Sequence, residues 1–421
     1  MSAEFWRRVA KNRLLDIGMG FIALLALGHL ALALPGRVFE WDFAHYYVSS
    51  RMLLEGRDPY DLALEPESRQ QGFVTSDVIP RATNPPPLLW LVAAFVWAPP
   101  RVAFWAWTTV QAISLAAVLL LTRVLLQGRL STRAWWFFGA GVVASQAIFY
   151  HFWFGQAQLL LVALILGGFA CLRRGNGMTA CTLVTAAALV KLFPLVLVPW
   201  FIWRGGGDRS AFWRRVTATA ATGLVVVTVT GWGLWRDFFR FAAMIVSDFA
   251  PRRTFNFTIP SLVVNLHAVA SGQVTTDSVP RIWWMTAMSV GLIVILTGYW
   301  LVGMRGGDLE TEFCLLCVVM LAGNPVTWGH YFVFLIFPMA VAVVKLREGL
   351  TEARLIGFAL LILALNVLDL AGKTWVERRF AVAFIANYVP LAGLIVLACL
   401  FAGWLNVSHE SRTKPAGSEL E

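Results

Sequence analysis

Apolar runs about twenty residues long recur from one end of the chain to the other, and they constrain the fold more than any other feature. The first, 14–34, carries a single acid, Asp16; others lie at 102–126, 134–150, 156–172, 216–235, 282–303, 355–370 and 382–405. Roughly 20 apolar residues cross a 30 Å hydrocarbon core as a helix, and in lipid only helices or closed barrels satisfy their own backbone. Composition agrees: 58% of the 421 residues are hydrophobic and 14% charged, against roughly 25% charged in soluble chains. The expected class is an all-α polytopic membrane protein. The run 14–34 is long and lacks a small-residue exit, so it reads as a true span rather than a cleaved leader.

Two stretches are too long for one crossing. Residues 178–203 would make a helix of about 39 Å at 1.5 Å per residue, with Lys191 at its centre and Pro194 three residues later. A lone charge in that position costs about 2.5–3.5 kcal/mol, and an interior proline breaks or kinks a helix. Residues 311–345 would reach about 52 Å, interrupted by Asn324-Pro325. Both are expected to form two short helices that turn back, a geometry tolerated where the turn is buried or lines a polar cavity. The segment 85–99, bracketed by Pro85-Pro86-Pro87 and Pro99-Pro100, is too short to cross and is expected to be re-entrant or interfacial. The sum is about twelve transmembrane helices, several short or broken, with both termini on one side.

The net charge of +10 does not suggest nucleic acid, because the basic residues sit in short clusters between apolar runs. Clusters at 7–13, 123–133, 173–174, 204–215, 345–354 and 412–414 all fall on one side of that topology. The positive-inside rule makes this side cytoplasmic. The opposite side receives the long loops 35–87 and 236–281, the first with eight acids and five arginines. Residues 1–405 then form one membrane domain, and 406–421 a disordered cytoplasmic tail. The five cysteines, Cys171, Cys181, Cys314, Cys317 and Cys399, lie within or at the ends of apolar runs. That placement and the odd count argue against a disulfide framework, and the CxxC at 314–317 has no second pair or neighbouring histidine to suggest a metal site.

Once the arginines set the orientation, the unusual polar residues of the membrane region fall together at the outer face: Asp42, Gln156, Gln158, Lys191, Asn256 and His330. Convergent polar groups at one membrane face suggest a site. Asp42 opens a segment with helical character that ends at Gly56, with Pro59 barring continuation. It reads both as an N-cap accepting backbone N–H bonds and as a carboxylate kept ionised at a helix start. Glu40, two residues earlier, makes an ExD pair that is a weak signal for a divalent cation. Lys191 reads either as a lysine that snorkels to the interface or as the partner of a buried phosphate or carboxylate. Arg252 and Arg253 read as a solvated loop face or as further cations. Gln156 and Gln158 begin a span, where satisfying neighbouring helices is the simpler reading. Trp41, Phe43, Tyr46 and Tyr47 suit either sugar stacking or interface anchoring.

The stretch WDFAHYYVSSRMLLEGRDPYDL (41–62) resembles the first outer loop of glycosyltransferase family 87, polyprenyl-phosphate-sugar-dependent transferases of the GT-C group. NPPPLLWL (84–91), FGQAQLLLVAL (154–164), LVKLFPLVLVPWFI (189–202), NFTIPSL (256–262) and NPVTWGHYFVFLIFP (324–338) follow in the family's order, and together they cover about residues 40–340. The resemblance implies a GT-C-like bundle whose first outer loop carries short helices. It also implies that Asp42 is the general base and that His330 lies near the reacting groups. Two departures stand out: Asn84 replaces an aromatic residue often seen before the prolines, and a single histidine follows Trp328.

The resulting expectation is an inverting membrane hexosyltransferase, with mannose the family's usual sugar. The donor would be a polyprenyl phosphate sugar and the acceptor a lipid-linked glycan or polysaccharide. Asp42 and His330 would be catalytic, and Lys191, Arg252 and Arg253 would bind the donor phosphate. Glu40, Tyr46, Tyr47, Gln156 and Asn256 would contact substrate. No cofactor or metal is expected, and the site would face the periplasm or exterior of the inner cell membrane. Broken helices and an intramembrane lysine also suit a polyprenyl-lipid transporter or flippase, and a non-catalytic lipid-binding partner stays open. The sequence has no repeat relating its two halves, which argues against a transporter.

Overall fold

The computed structural model describes residues 13–38, 41–73, 81–248, 256–270, 280–348 and 380–413. Glu40, Arg252, Arg253, the expected span 355–370 and the last eight residues of the chain lie outside them. No strand occurs among the described residues.

Helix α1 (Arg13–Ala33) continues into a 3₁₀ turn, Leu34–Arg37. The loop after it holds α2 (Trp41–Leu54) and α3 (Glu65–Gln70), the short helices expected there. Helix α4 (Pro86–Ala93) starts on proline, whose missing N–H costs nothing at a first turn. Its eight residues span only about 12 Å. Helix α5 (Pro100–Leu125) is a full-length apolar helix.

Two expected spans break differently. The run 134–150 is not one helix: α6 (Thr132–Val143) stops before Ser145, whose hydroxyl caps α7 (Gln146–Trp153). Helix α7 then meets α8 (Gln158–Arg173) at an angle of 119°. The run 216–235 is cut at Gly231, which takes a positive φ of 96°. Helix α11 (Arg209–Thr230) ends there and α12 (Trp232–Asp248) leaves at 94°. Polar capping and a left-handed glycine end these helices inside hydrophobic sequence that hydropathy reads as continuous.

The two over-long stretches both turn back, as expected. Helix α9 (Gly177–Val190) ends at Lys191, whose backbone is extended; a 3₁₀ turn, Phe193–Leu197, leads into α10 (Val198–Arg204). Arg215 on α11 donates from Nε to Ile202 O at 2.8 Å and from Nη1 to Gly206 O at 2.7 Å. The same side chain packs on Gly177, so the start and end of the segment meet. In the second hairpin, α15 (Leu309–Gly323) breaks at 324–328. A 3₁₀ turn, Gly329–Leu335, and α16 (Ile336–Glu348) follow. Lys345 Nζ returns to within 2.9 Å of Asp308 Oδ2 at the hairpin's start.

In lipid, helices hold together by close packing rather than by expulsion of water. Phe169 on α8 bridges the hairpins, stacked on Trp200 of the first with centroids 6.1 Å apart and on Phe313 of the second at 4.5 Å. Helix α13 (Ile259–Ala270) precedes α14 (Arg281–Arg305), and where α14 crosses α15, Gly291 and Gly323 face each other. A Cβ on Gly323 would lie 2.6 Å from the Gly291 carbonyl, so only glycine permits the approach.

Five described helices are long and apolar enough to cross a membrane, or seven if each bent pair is one span. The expected twelve is not reached among the described residues, because hairpin arms such as α9, with 14 residues, are shorter than the roughly 20 a crossing needs. The last helix, α17 (Phe380–Thr413), also corrects the tail, since residues 406–413 continue it as helix rather than as disordered chain.

Among the described residues, Arg129, Arg173, Arg204 and Lys345, from four of the basic clusters, gather at one end around α15. Glu310 accepts from Arg129 and, at 2.7 Å, from Arg173. Glu312 accepts from both Arg204 nitrogens, from Trp200 Nε1 at 3.0 Å and from Gly307 N at 2.9 Å. Helix α8 runs from Gln158 to Arg173, which puts this end about 23 Å from the elbow where α8 begins.

Candidate functional site

The elbow between α7 and α8, residues Phe154–Ala157, builds the site at the other end. Phe43 N donates to Phe154 O at 3.1 Å, Trp107 Nε1 to Gly155 O at 2.8 Å, and Gln156 N to His151 O at 3.0 Å. Gly155 has φ +67°, and a Cβ there would sit 2.6 Å from Phe43 Cβ. Glycine is therefore required twice over, by conformation and by space. The elbow is thereby pinned against the start of α2.

This contact aims Gln156 at three partners. Its amide nitrogen donates to Asp42 Oδ2 at 2.5 Å. Its carbonyl oxygen accepts from Lys191 Nζ at 2.8 Å and from the Tyr46 hydroxyl at 2.9 Å. Gln156, Lys191 and Tyr46 are buried. Lys191 therefore does not snorkel. Its ammonium sits 5.8 Å from the ring centres of both Tyr46 and Tyr331, a cation–π setting of useful strength when water is excluded.

Asp42 is not the N-cap expected of it. Helix α2 begins at Trp41, and Asp42 lies in the first turn. Burial pushes its carboxyl up to about 6, opposed by the charge of Lys191 and the hydrogen bond from Gln156. The helix start does not keep the group far below neutrality as the cap reading implies. It is poised instead: at pH 7 roughly nine-tenths of such a group is ionised.

The other expected residues divide. Asn256 holds the break of the second hairpin, donating to Pro325 O at 2.8 Å and accepting from Thr327 N at 2.9 Å. His330 opens the following 3₁₀ turn, buried among the rings of Phe154, Trp328 and Tyr331. The geometry does not bring Tyr47 to the cluster: its hydroxyl donates to Ala98 O at 2.9 Å, and its ring packs with Phe43 and Phe73.

Three more buried residues join this region: Gln158, and His151 and Gln111, which the sequence did not single out. His151 on α7 lies 3.2 Å from Gln111 Oε1 on α5. Gln158, expected to satisfy neighbouring helices, has neither side-chain polar atom in a hydrogen bond among the described residues. The QxQ spacing at 156–158 is the one local sequence signal for it.

The molecule is thus an all-helical integral membrane protein, with two hairpin tips and an interhelical elbow converging on a carboxylate, a lysine and a bridging glutamine. Residues 82–325 match glycosyltransferase family 87. That is more than half of the chain, and the chain belongs to this family, which implies a membrane glycosyltransferase with a sugar donor and an acceptor. The match includes Gln156, Lys191 and Asn256, while Asp42 and His330 flank it on either side. No curated protein matches the chain.

Proposed function

We propose that this glycosyltransferase moves a hexose, with mannose the expected sugar, from a polyprenyl phosphate to a lipid-linked glycan or polysaccharide at the outer face of the inner membrane. The supporting observation is the arrangement of Asp42 and Lys191 on one glutamine. They meet through Gln156, at 2.5 and 2.8 Å, rather than as an ion pair. A base and a cation that do not neutralise each other are what transfer from a lipid phosphate requires.

In this reading Asp42 takes the proton of the acceptor hydroxyl. The oxygen attacks the anomeric carbon as the bond to the phosphate oxygen breaks, and the lipid phosphate leaves. One displacement inverts that carbon. Lys191 meets the charge that develops on the departing phosphate, since preorganised charge is usually the largest catalytic contribution. Arg252 and Arg253, which follow α12 in the sequence, supply further cations to the donor, and His330 borders the reacting groups. Tyr46 and Gln156 orient Asp42, and Glu40 lies beside it in sequence. A monophosphate leaving group beside fixed cations needs no metal, so a chelator should leave the rate unchanged.

The test is labelled polyprenyl-phosphate mannose added to the purified protein in vesicles with a membrane extract as acceptor. Labelled glycan product supports the reading. Movement of the lipid between leaflets without product indicates a flippase, and binding alone a non-catalytic partner; either result defeats it.

A further inference from the structure

Beside the base and the lysine lies a set of buried polar atoms that the base and the lysine do not engage. Both ring nitrogens of His330, both amide atoms of Gln158, Nδ1 of His151 and Nε2 of Gln111 are buried without a hydrogen-bond partner among the described residues. These four side chains are at most 1% exposed. A buried polar group left unmade costs about 1–3 kcal/mol, so such a concentration marks either ordered water or a ligand's place.

Their chemistry narrows the ligand. Gln111 Oε1 accepts from His151 Nε2, which leaves His151 Nδ1 as an acceptor and the Gln111 amide nitrogen as a donor. Gln158 adds one donor and one acceptor, and a neutral His330 adds one of each. The set is balanced and contains no carboxylate, arginine or lysine. A phosphate only accepts, so it would leave half of these groups unsatisfied. A hydroxyl both donates and accepts, and a ring bearing several hydroxyls matches the set. The four residues come from α5, α7, α8 and the second hairpin. They are linked to the base through the elbow: Phe154 packs on His330 and accepts from Phe43 N, next to Asp42.

We infer that Gln158, His151 and Gln111, with His330, form the subsite that recognises the hydroxyl groups of the transferred sugar. This rests on the proposed transfer reaction for its substrate but not for its geometry. Gln158 is the residue to change, because no group among the described residues hydrogen-bonds to its amide. Replacing a buried amide that has no partner by an apolar side chain of similar shape is neutral or stabilising for the fold.

The experiment compares wild type with Gln158→Met in two measurements. The first is kcat/KM for polyprenyl-phosphate mannose and polyprenyl-phosphate glucose. The second is the thermal shift given by a short-chain prenyl phosphate with and without mannose attached. Expected for Gln158→Met are a melting temperature equal to or above wild type, at least a tenfold loss with the preferred donor, a smaller preference between the two sugars, and loss of the extra shift that mannose gives. Wild-type specificity and an intact mannose-dependent shift in the variant overturn the inference. So does an equal loss with both donors while that shift persists. A wild-type protein that transfers neither sugar yet shows a mannose-dependent shift, lost in Gln158→Met, defeats the proposed reaction and upholds the subsite. No such shift in wild type overturns it.

Discussion

The two ends of the bundle handle buried polarity in opposite ways. At the end gathered around α15, every buried acid is answered. Glu312 is fully buried and takes hydrogen bonds from Arg204, Trp200 and Gly307, while Glu310 takes Arg129 and Arg173. At the elbow end, Asp42 and Lys191 share one glutamine, and Gln158 and His330 are unpartnered among the described residues. A satisfied network ties helices together, and an unsatisfied one gives up stability for something that arrives from outside. The first end holds the hairpins together; in the proposed reading the second meets a substrate.

The difference breaks most sharply under substitution of one cation at each end. Arg204→Met leaves Glu312 buried and uncompensated, which costs about 3–5 kcal/mol; folded yield and melting temperature in detergent should drop steeply. Lys191→Met removes a cation held by one neutral amide oxygen, which keeps the Tyr46 hydroxyl as a donor, so its loss of stability should be clearly smaller than that of Arg204→Met. It should still lower transfer about a hundredfold or more, as for loss of a preorganised charge. Equal destabilisation by the two changes would erase the distinction.

A smaller effect is expected at the elbow. Gly155→Ala strains a backbone at φ +67° and crowds Phe43, with a cost on the order of 1–3 kcal/mol. Because Phe43 neighbours Asp42, kcat should fall more than the thermal loss explains, while kcat/KM for donor epimers keeps its ratio.

The mildest probe is pH. The Asp42 carboxyl is raised to about 6 by burial, above its unfolded value near 3.9. The folded state therefore binds this proton more tightly than the unfolded chain. Transfer rate should fall as pH drops through 6, since the base is lost. Over the same window, down to about pH 4, this group makes a growing contribution to stability. The difference in melting temperature between wild type and Asp42→Asn isolates that contribution.

What the sequence made legible follows physical contrast. Lys191 and Asn324-Pro325 stand out because charges and prolines are costly in apolar runs, and with the length of those runs they give the hairpins. Asp42 stands out at the start of a helical segment beside the first span. The breaks before Ser145 and at Gly231 were hidden, because serine and glycine are ordinary in membrane helices and only tertiary packing shows which of them ends one. His151 and Gln111 were hidden too: a single polar residue on a helix says nothing of its partners until α5 and α7 are placed side by side. Gln158 was visible in the chain, but its lack of a partner is a property of the fold alone.

Asp42 carries the proposed chemistry most directly. Initial rates of hexose transfer from labelled polyprenyl phosphate sugar should be compared for wild type and Asp42→Asn in matched vesicles, with melting temperatures alongside. Loss of a general base predicts a rate lower by about 10²–10⁴-fold with the fold intact. A variant that transfers sugar at the wild-type rate would contradict it.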